Sequence, residues 1–92
     1  MTEAAITRRH DEAASRGTFD LTRDGTRIGF LSYSLTGDGT MTIDYVEVDP
    51  ALRGKGLGEQ LVAAAVEWAR TNKHRAVPLC SYARAVMGRT TQ

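Results

Sequence analysis

Three glycines at alternate positions, Gly54, Gly56 and Gly58, separate two apolar patterns of different period, and this junction constrains the fold more than any other feature of the chain. Before it, Met41 and Ile43 alternate with polar residues and are followed by Tyr45 and then Val46 and Val48, which reads as a strand. After it, Leu57, Leu61, Ala65 and Trp68 recur at i, i+4, i+8 and i+11, with Val62 and Ala69 beside them, so one helical face is apolar. A strand, a tight turn and a helix start bring backbone N–H groups and the positive end of the helix dipole to one point, which suits an anion. Glycines let the main chain approach phosphate closely, and Arg53 and Lys55 place two cationic side chains beside it.

The rest of the chain arranges itself around that junction. Phe19 and Leu21 alternate with polar neighbours, and Asp24-Gly25 then precedes a second alternating run, Ile28 to Leu35. Asp-Gly between two such runs predicts a hairpin, because both residues tolerate the positive φ of a type I′ turn. Gly37-Asp38-Gly39 breaks the chain again before the 41–48 strand, so the first half is expected to be an antiparallel β-meander, which Asp49-Pro50 ends. The helix should run from about Lys55 to Thr71 with Asn72 as its C-terminal cap, followed by a short return strand, Arg75 to Leu79, beside the 41–48 strand. Pro78 confines that strand to an edge or a bulge. Ser81 to Met87 reads as a closing helix with Ser81 as N-cap. Met1 to Ala5 show no packing pattern and are expected to be loose, with order beginning near Ile6. The sum is an α+β fold in one domain over residues 1–92.

Composition narrows the function by exclusion. With 12 basic and 11 acidic residues the net charge is +1, which supplies no general attraction to nucleic acid or anionic lipid, so an anion site must be local. The longest apolar run, Leu61 to Val66, is far short of a membrane span. Arg8-Arg9 are followed by Asp11 and Glu12 where an export signal would turn apolar, and the single Cys80 has no internal disulfide partner, so a cytoplasmic location is expected. His10 and His74 stand in no metal-ligand spacing and are expected at the surface, with no metal site.

Three phosphate-binding patterns compete for the turn. A P-loop requires Gly-Lys followed by Ser or Thr, which is absent, and the dinucleotide fingerprint Gly-x-Gly-x-x-Gly is not the spacing of Gly54, Gly56 and Gly58. The third, Gln or Arg, two residues, Gly, one residue, then Gly or Ala, is matched by Arg53, Gly56 and Gly58. With Tyr45-Val46-Glu47-Val48-Asp49-Pro50 before it and Leu57 to Trp68 after it, the chain resembles the GNAT superfamily of acetyl-CoA-dependent N-acetyltransferases. Over Gly29 to Tyr82, ending in Pro78-Leu79-Cys80-Ser81-Tyr82, it is similar to a subfamily of very small members.

The resemblance implies a minimal GNAT-like fold: a meander, a central amphipathic helix, a return strand splayed from its neighbour and a short C-terminal helix. It implies acetyl-CoA as cosubstrate, held by Arg53, Gly54, Lys55, Gly56, Leu57 and Gly58 around the diphosphate and by the backbone of Val46 and Val48 along its pantetheine arm. Cys80 would stand near the thioester and could form an acetyl-cysteine, Glu47 would be the general base, and Tyr82 could protonate the departing thiolate. Tyr45 stands where the small members often carry a histidine. The acceptor would be an amine, small or on a protein or peptide, and no helical pattern precedes Thr18 to wall an acceptor pocket. The acceptor site is thus open or completed by a second subunit, and the chain a monomer or homodimer. A non-catalytic acetyl-CoA or CoA-binding module is the alternative.

Overall fold

In the computed structural model, which describes residues 4–90, five strands form one sheet in the order β1-β2-β3-β4-β5. β1 (Ala5–Asp11), β2 (Arg16–Arg23), β3 (Thr26–Leu35) and β4 (Thr40–Val48) are antiparallel neighbours, and β5 (Arg75–Pro78) adds parallel to β4 after the crossover through α1 (Leu57–Thr71). A second helix, α2 (Ser81–Thr90), closes the chain. This is the expected α+β architecture, with the return strand beside β4. The looseness expected of Met1 to Ala5 falls partly on residues 1–3, outside the described residues, and Ala5 already belongs to β1.

One face of the sheet carries the core. Leu21, Leu31, Tyr33, Met41 and Ile43 are fully buried against Leu61, Val62, Ala65 and Ala69 of α1 and against Ala83 and Val86 of α2. Burial of that stripe stabilises the helix far more than its propensity does. Asp24 and Gly25 take φ of 53° and 79°, as the hairpin requires. At the far end of α1, Asn72 caps with its N–H on Trp68 and Arg70 carbonyls and its side-chain amide on Trp68 O at 2.8 Å.

Three local expectations are corrected. β1 was not legible as a strand because its inward positions after Ile6 are Arg8 and His10: the Arg8 guanidinium lies 4.3 Å over the Trp68 ring, and His10 stacks on Tyr33 with Nδ1 2.8 Å from its hydroxyl. His10 is therefore not a surface residue, its side chain being 10% exposed, and His74 stacks on Trp68. The central helix starts at Leu57, not Lys55, because Gly54 and Gly56 hold left-handed φ of 82° and 78°, which a right-handed helix cannot continue. Finally, Cys80 rather than Ser81 precedes the first helical residue of α2. Its sulfur accepts the Ala83 N–H at 3.3 Å, the position of an N-cap bond.

Candidate active site

β4 changes character along its length. Its first half lies between two partners: Met41 and Ile43 face β5 through their backbone, and the last ladder bond on that side runs from Leu79 N to Ile43 O at 2.9 Å. Pairing with β5 ends at Ile43 and Pro78. Beyond it, β4 stays paired to β3, with Asp49 N bonded to Ile28 O at 2.8 Å. Because antiparallel bonding alternates, Glu47 shares the β3 side with Asp49, and Val46 and Val48 turn their N–H and C=O groups to the opposite, open side. The expected splay is thus present, with two residues of unpaired strand edge that a ligand bearing amides can complete.

A bulge makes this possible. Between Ser32/Tyr33 on β3 and Tyr45/Ile43 on β4 the register shifts, with Asp44 the extra residue. Without it, strict alternation from Ile43 would put Tyr45 in the core and turn Val46 outward. With it, Val46 and Val48 pack against the core and Tyr45 and Glu47 project from the other face. The phase change is visible in the sequence as the switch of apolar positions from odd to even between Ile43 and Val46.

The open edge leads into the glycine turn. Asp49 caps a short 3-10 turn, Pro50–Leu52, accepting the Ala51 N–H at 3.0 Å, and Arg53 follows in an extended conformation. Gly54 has nothing within 4 Å of where a side chain would begin, so its backbone is approachable. Gly56 is the N-cap of α1, and no side chain caps that helix. Its first turn presents main-chain N–H groups and the positive end of the dipole, and it also carries Glu59, which lines the same cavity with Oε1 3.7 Å from where a Gly56 side chain would begin. Edge and turn border one cavity of about 800 Å³, lined among others by Val46, Val48, Arg53, Gly54, Gly56 and Gly58.

Gly58 lines the cavity and also makes room for a side chain. A Cβ there would collide with the Tyr82 ring, whose Cζ would be 2.8 Å away, so the missing side chain is what seats Tyr82 against the first turn of α1. Tyr82 lines the cavity, as do Leu57, Tyr45 and Glu47. The Tyr45 hydroxyl donates to Glu47 Oε1 at 3.0 Å. That bond and the charge of Glu47 push the Tyr45 hydroxyl above its ordinary value, with Arg53 opposing and Cys80 adding a little. Tyr45 stays protonated at neutral pH and is no substitute for a basic histidine.

Two sequence-based candidates fall outside the cavity wall. Lys55 is exposed and is not among the lining residues, and Cys80, half-buried, stands at the start of α2 with its sulfur engaged by Ala83. Among the described residues no His, Cys, Asp and Glu cluster could hold a metal, and no helix is long and apolar enough to cross a membrane.

Known proteins share this fold. Solved structures that superpose on the chain include an IAA acetyltransferase from Bacillus cereus (TM-score 0.74, 20% identity, 95% of this chain and 75% of that one). A ribosomal-protein-alanine N-acetyltransferase from Brucella melitensis superposes with a TM-score of 0.76 at 14% identity over 97% and 91% of the two chains. An aminoglycoside N-acetyltransferase in complex with CoA gives 0.72 at 16% identity over 97% and 84%. At these identities the likeness establishes the fold, and no curated protein is significantly similar in sequence. The pattern of the GCN5-related N-acetyl-transferase family matches residues 18–92, which takes in the meander from β2 onward, the open edge of β4, the glycine turn and α2. With its sequence matched over that length and its fold shared with acetyltransferases, the chain belongs to the GCN5-related N-acetyltransferase family.

Proposed function

We propose that this protein, as one domain over residues 1–92, transfers an acetyl group from acetyl-CoA to an amine. The observation that carries the reading is the unpaired backbone of Val46 and Val48 running into the uncapped start of α1. A diphosphate fits the turn, where Arg53 adds a guanidinium and the Gly54 and Gly56 backbone is open, and an arm containing amides fits the β4 edge. A neighbour of the same fold was solved in complex with CoA. Lys55 would act only from a distance, as a screened charge.

Acetyl-CoA supplies an activated thioester, and the protein's task is placement and proton transfer. Glu47, on the outer face beside the open edge, takes the proton from the attacking amine directly or through one water. Tyr82, seated on Gly58, supplies a proton to the sulfur that leaves. A two-step route through acetyl-Cys80 is the second reading, favoured by the thiol's place at the start of α2. The Pro78-Leu79-Cys80-Ser81-Tyr82 run groups the chain with the very small members of its family on the same reading.

Incubation with labelled acetyl-CoA and a panel of amines and peptides is expected to give acetylated product. Coenzyme A binding with no transfer to any acceptor would leave a CoA-binding module and remove the enzyme. An acetyl adduct on Cys80, seen by intact mass without acceptor and followed by its loss when amine is added, selects the two-step route. Unimpaired turnover by Cys80→Ala selects direct transfer and leaves the cysteine as the cap of α2.

A further inference from the structure

Three large apolar side chains stay exposed among the described residues: Tyr45, Leu79 and Tyr82, at 50%, 54% and 42%. Tyr82 belongs to the cavity wall. Tyr45 and Leu79 lie on the outer face of the sheet, opposite both helices. Leu79 follows β5 and extends its ladder, with its N–H on Ile43 O at 2.9 Å. Ala76 and Cys80 pack on the core, so alternation turns Val77 and Leu79 outward. Register then sets Leu79 one step past the Ile43–Pro78 pair, beside the Asp44-Tyr45 segment of β4.

One strand over, Phe30 stands opposite Glu47 and its ring is 5.8 Å from that of Tyr45. Its ring carries the Arg27 guanidinium at 4.6 Å, which is itself paired with Asp20 at 3.4 Å. Phe30 thus backs Tyr45, and the open apolar surface is Tyr45 with Leu79. Farther along β4, Asp44 accepts the Ser34 and Thr42 hydroxyls at 2.6 and 2.9 Å, so this surface ends at a polar border. A single exposed apolar residue is ordinary, but two on neighbouring strands beside a carboxylate, at the edge where β4 loses its partner, make a surface for a ligand to cover.

We propose that Tyr45 and Leu79 form the acceptor platform and select a small primary amine carried on an apolar stem, an arylalkyl or unbranched alkyl amine. The inference rests on the transferase reading and deepens it. The ammonium meets Glu47, whose charge complements it, and the stem lies along the Tyr45 ring onto Leu79. From Glu47 to Leu79 is two residues along a strand and one strand across, about 8 Å. That is the reach of a ring on a two-carbon link or of a six-carbon chain. A stem bearing a hydroxyl or a second ammonium would be desolvated against the ring and the leucine at a cost an apolar stem avoids.

The test uses the full chain, acetyl-CoA and a panel of primary amines: 2-phenylethylamine, hexylamine, ethanolamine, 1,5-diaminopentane and a lysine-containing peptide. The two apolar amines are expected to lead ethanolamine and the diamine in kcat/KM on the order of tenfold. Leu79→Asn should cut that lead several-fold by raising KM for the apolar amines, and Leu79→Met should keep it, with unchanged melts showing both variants folded. Equal kcat/KM across the panel, a lead for 1,5-diaminopentane, or a Leu79→Asn protein with the parent's lead would overturn the platform and leave the transferase standing. So would a lysine peptide faster than every free amine, which makes the acceptor a peptide, or a dimer in light scattering that Leu79→Asn dissolves, which makes the surface an interface between copies. No transfer to any amine by folded protein that binds coenzyme A removes the transferase reading itself, and the platform with it.

Discussion

The two halves of β4 differ by one neighbour, and that difference separates scaffold from site. From Thr40 to Ile43 the strand is hydrogen-bonded on both sides and its inward residues are fully buried. From Tyr45 to Val48 it is bonded to β3 alone, its inward valines are half-buried, and its outward residues reach solvent. One strand therefore serves two ends, because β5 stops at Pro78 and the Asp44 bulge restores the phase of the side chains beyond it. A scaffold becomes a binding edge here by omission of a partner, with no change of secondary structure.

If the halves are functionally distinct, substitutions should separate stability from activity. The largest effect is expected in the open half: Glu47→Gln should lower kcat by about 100-fold to 10,000-fold, with the denaturation midpoint and coenzyme A affinity close to those of the parent. A fall of less than threefold in steady-state assays would remove Glu47 as the base. In the closed half, Ile43→Ala leaves a cavity where the side chain is fully buried and should cost about 2–5 kcal/mol in chemical denaturation. The fraction that remains folded should bind coenzyme A as before, and a specific loss of affinity would mean the halves are not independent.

Gly56 tests the seam between strand and helix. At φ of 78°, Gly56→Ala forces an ordinary residue into the left-handed region at about 1–2 kcal/mol. Calorimetry should also find coenzyme A binding weakened several-fold, since the uncapped helix start must shift to relieve the strain. The smallest effect comes from the turn that feeds the closed half. Hydrogen bonds from Thr36 and Thr40 lower the Asp38 carboxyl below its ordinary value. A folded value below the unfolded one gives stability that is complete above the ordinary carboxylate range and is lost as pH falls through the lowered value. Asp38→Asn should flatten that acid limb of the stability profile and leave coenzyme A binding at neutral pH untouched.

The sequence was readable wherever apolar period and turn chemistry agreed. Asp24-Gly25, the stripe from Leu57 to Trp68, Asn72 and the return strand bounded by Pro78 all lie where those rules put them. β1 was hidden because Arg8 and His10 occupy core-facing positions, their stem and ring packing on Trp68 and Tyr33 in place of aliphatic side chains. In the site, the glycine turn and the edge at Val46 and Val48 were legible from motif and resemblance. What was not legible depends on contacts distant in sequence: Gly58 making room for Tyr82, Cys80 capping α2, and Tyr45 tied to Glu47. The apolar platform on the outer face was equally hidden, because Phe30, Tyr45 and Leu79 meet only when β3, β4 and the end of β5 are aligned.

Amide hydrogen exchange at Val46 and Val48, measured residue by residue with and without saturating coenzyme A, tests the unpaired edge most directly. Both N–H groups should exchange quickly in the free protein and become protected together with amides of residues 54–58 when coenzyme A is bound, while the already paired Met41 and Ile43 change little. Protection at Val46 and Val48 in the free protein, or no added protection at saturation, would contradict the account.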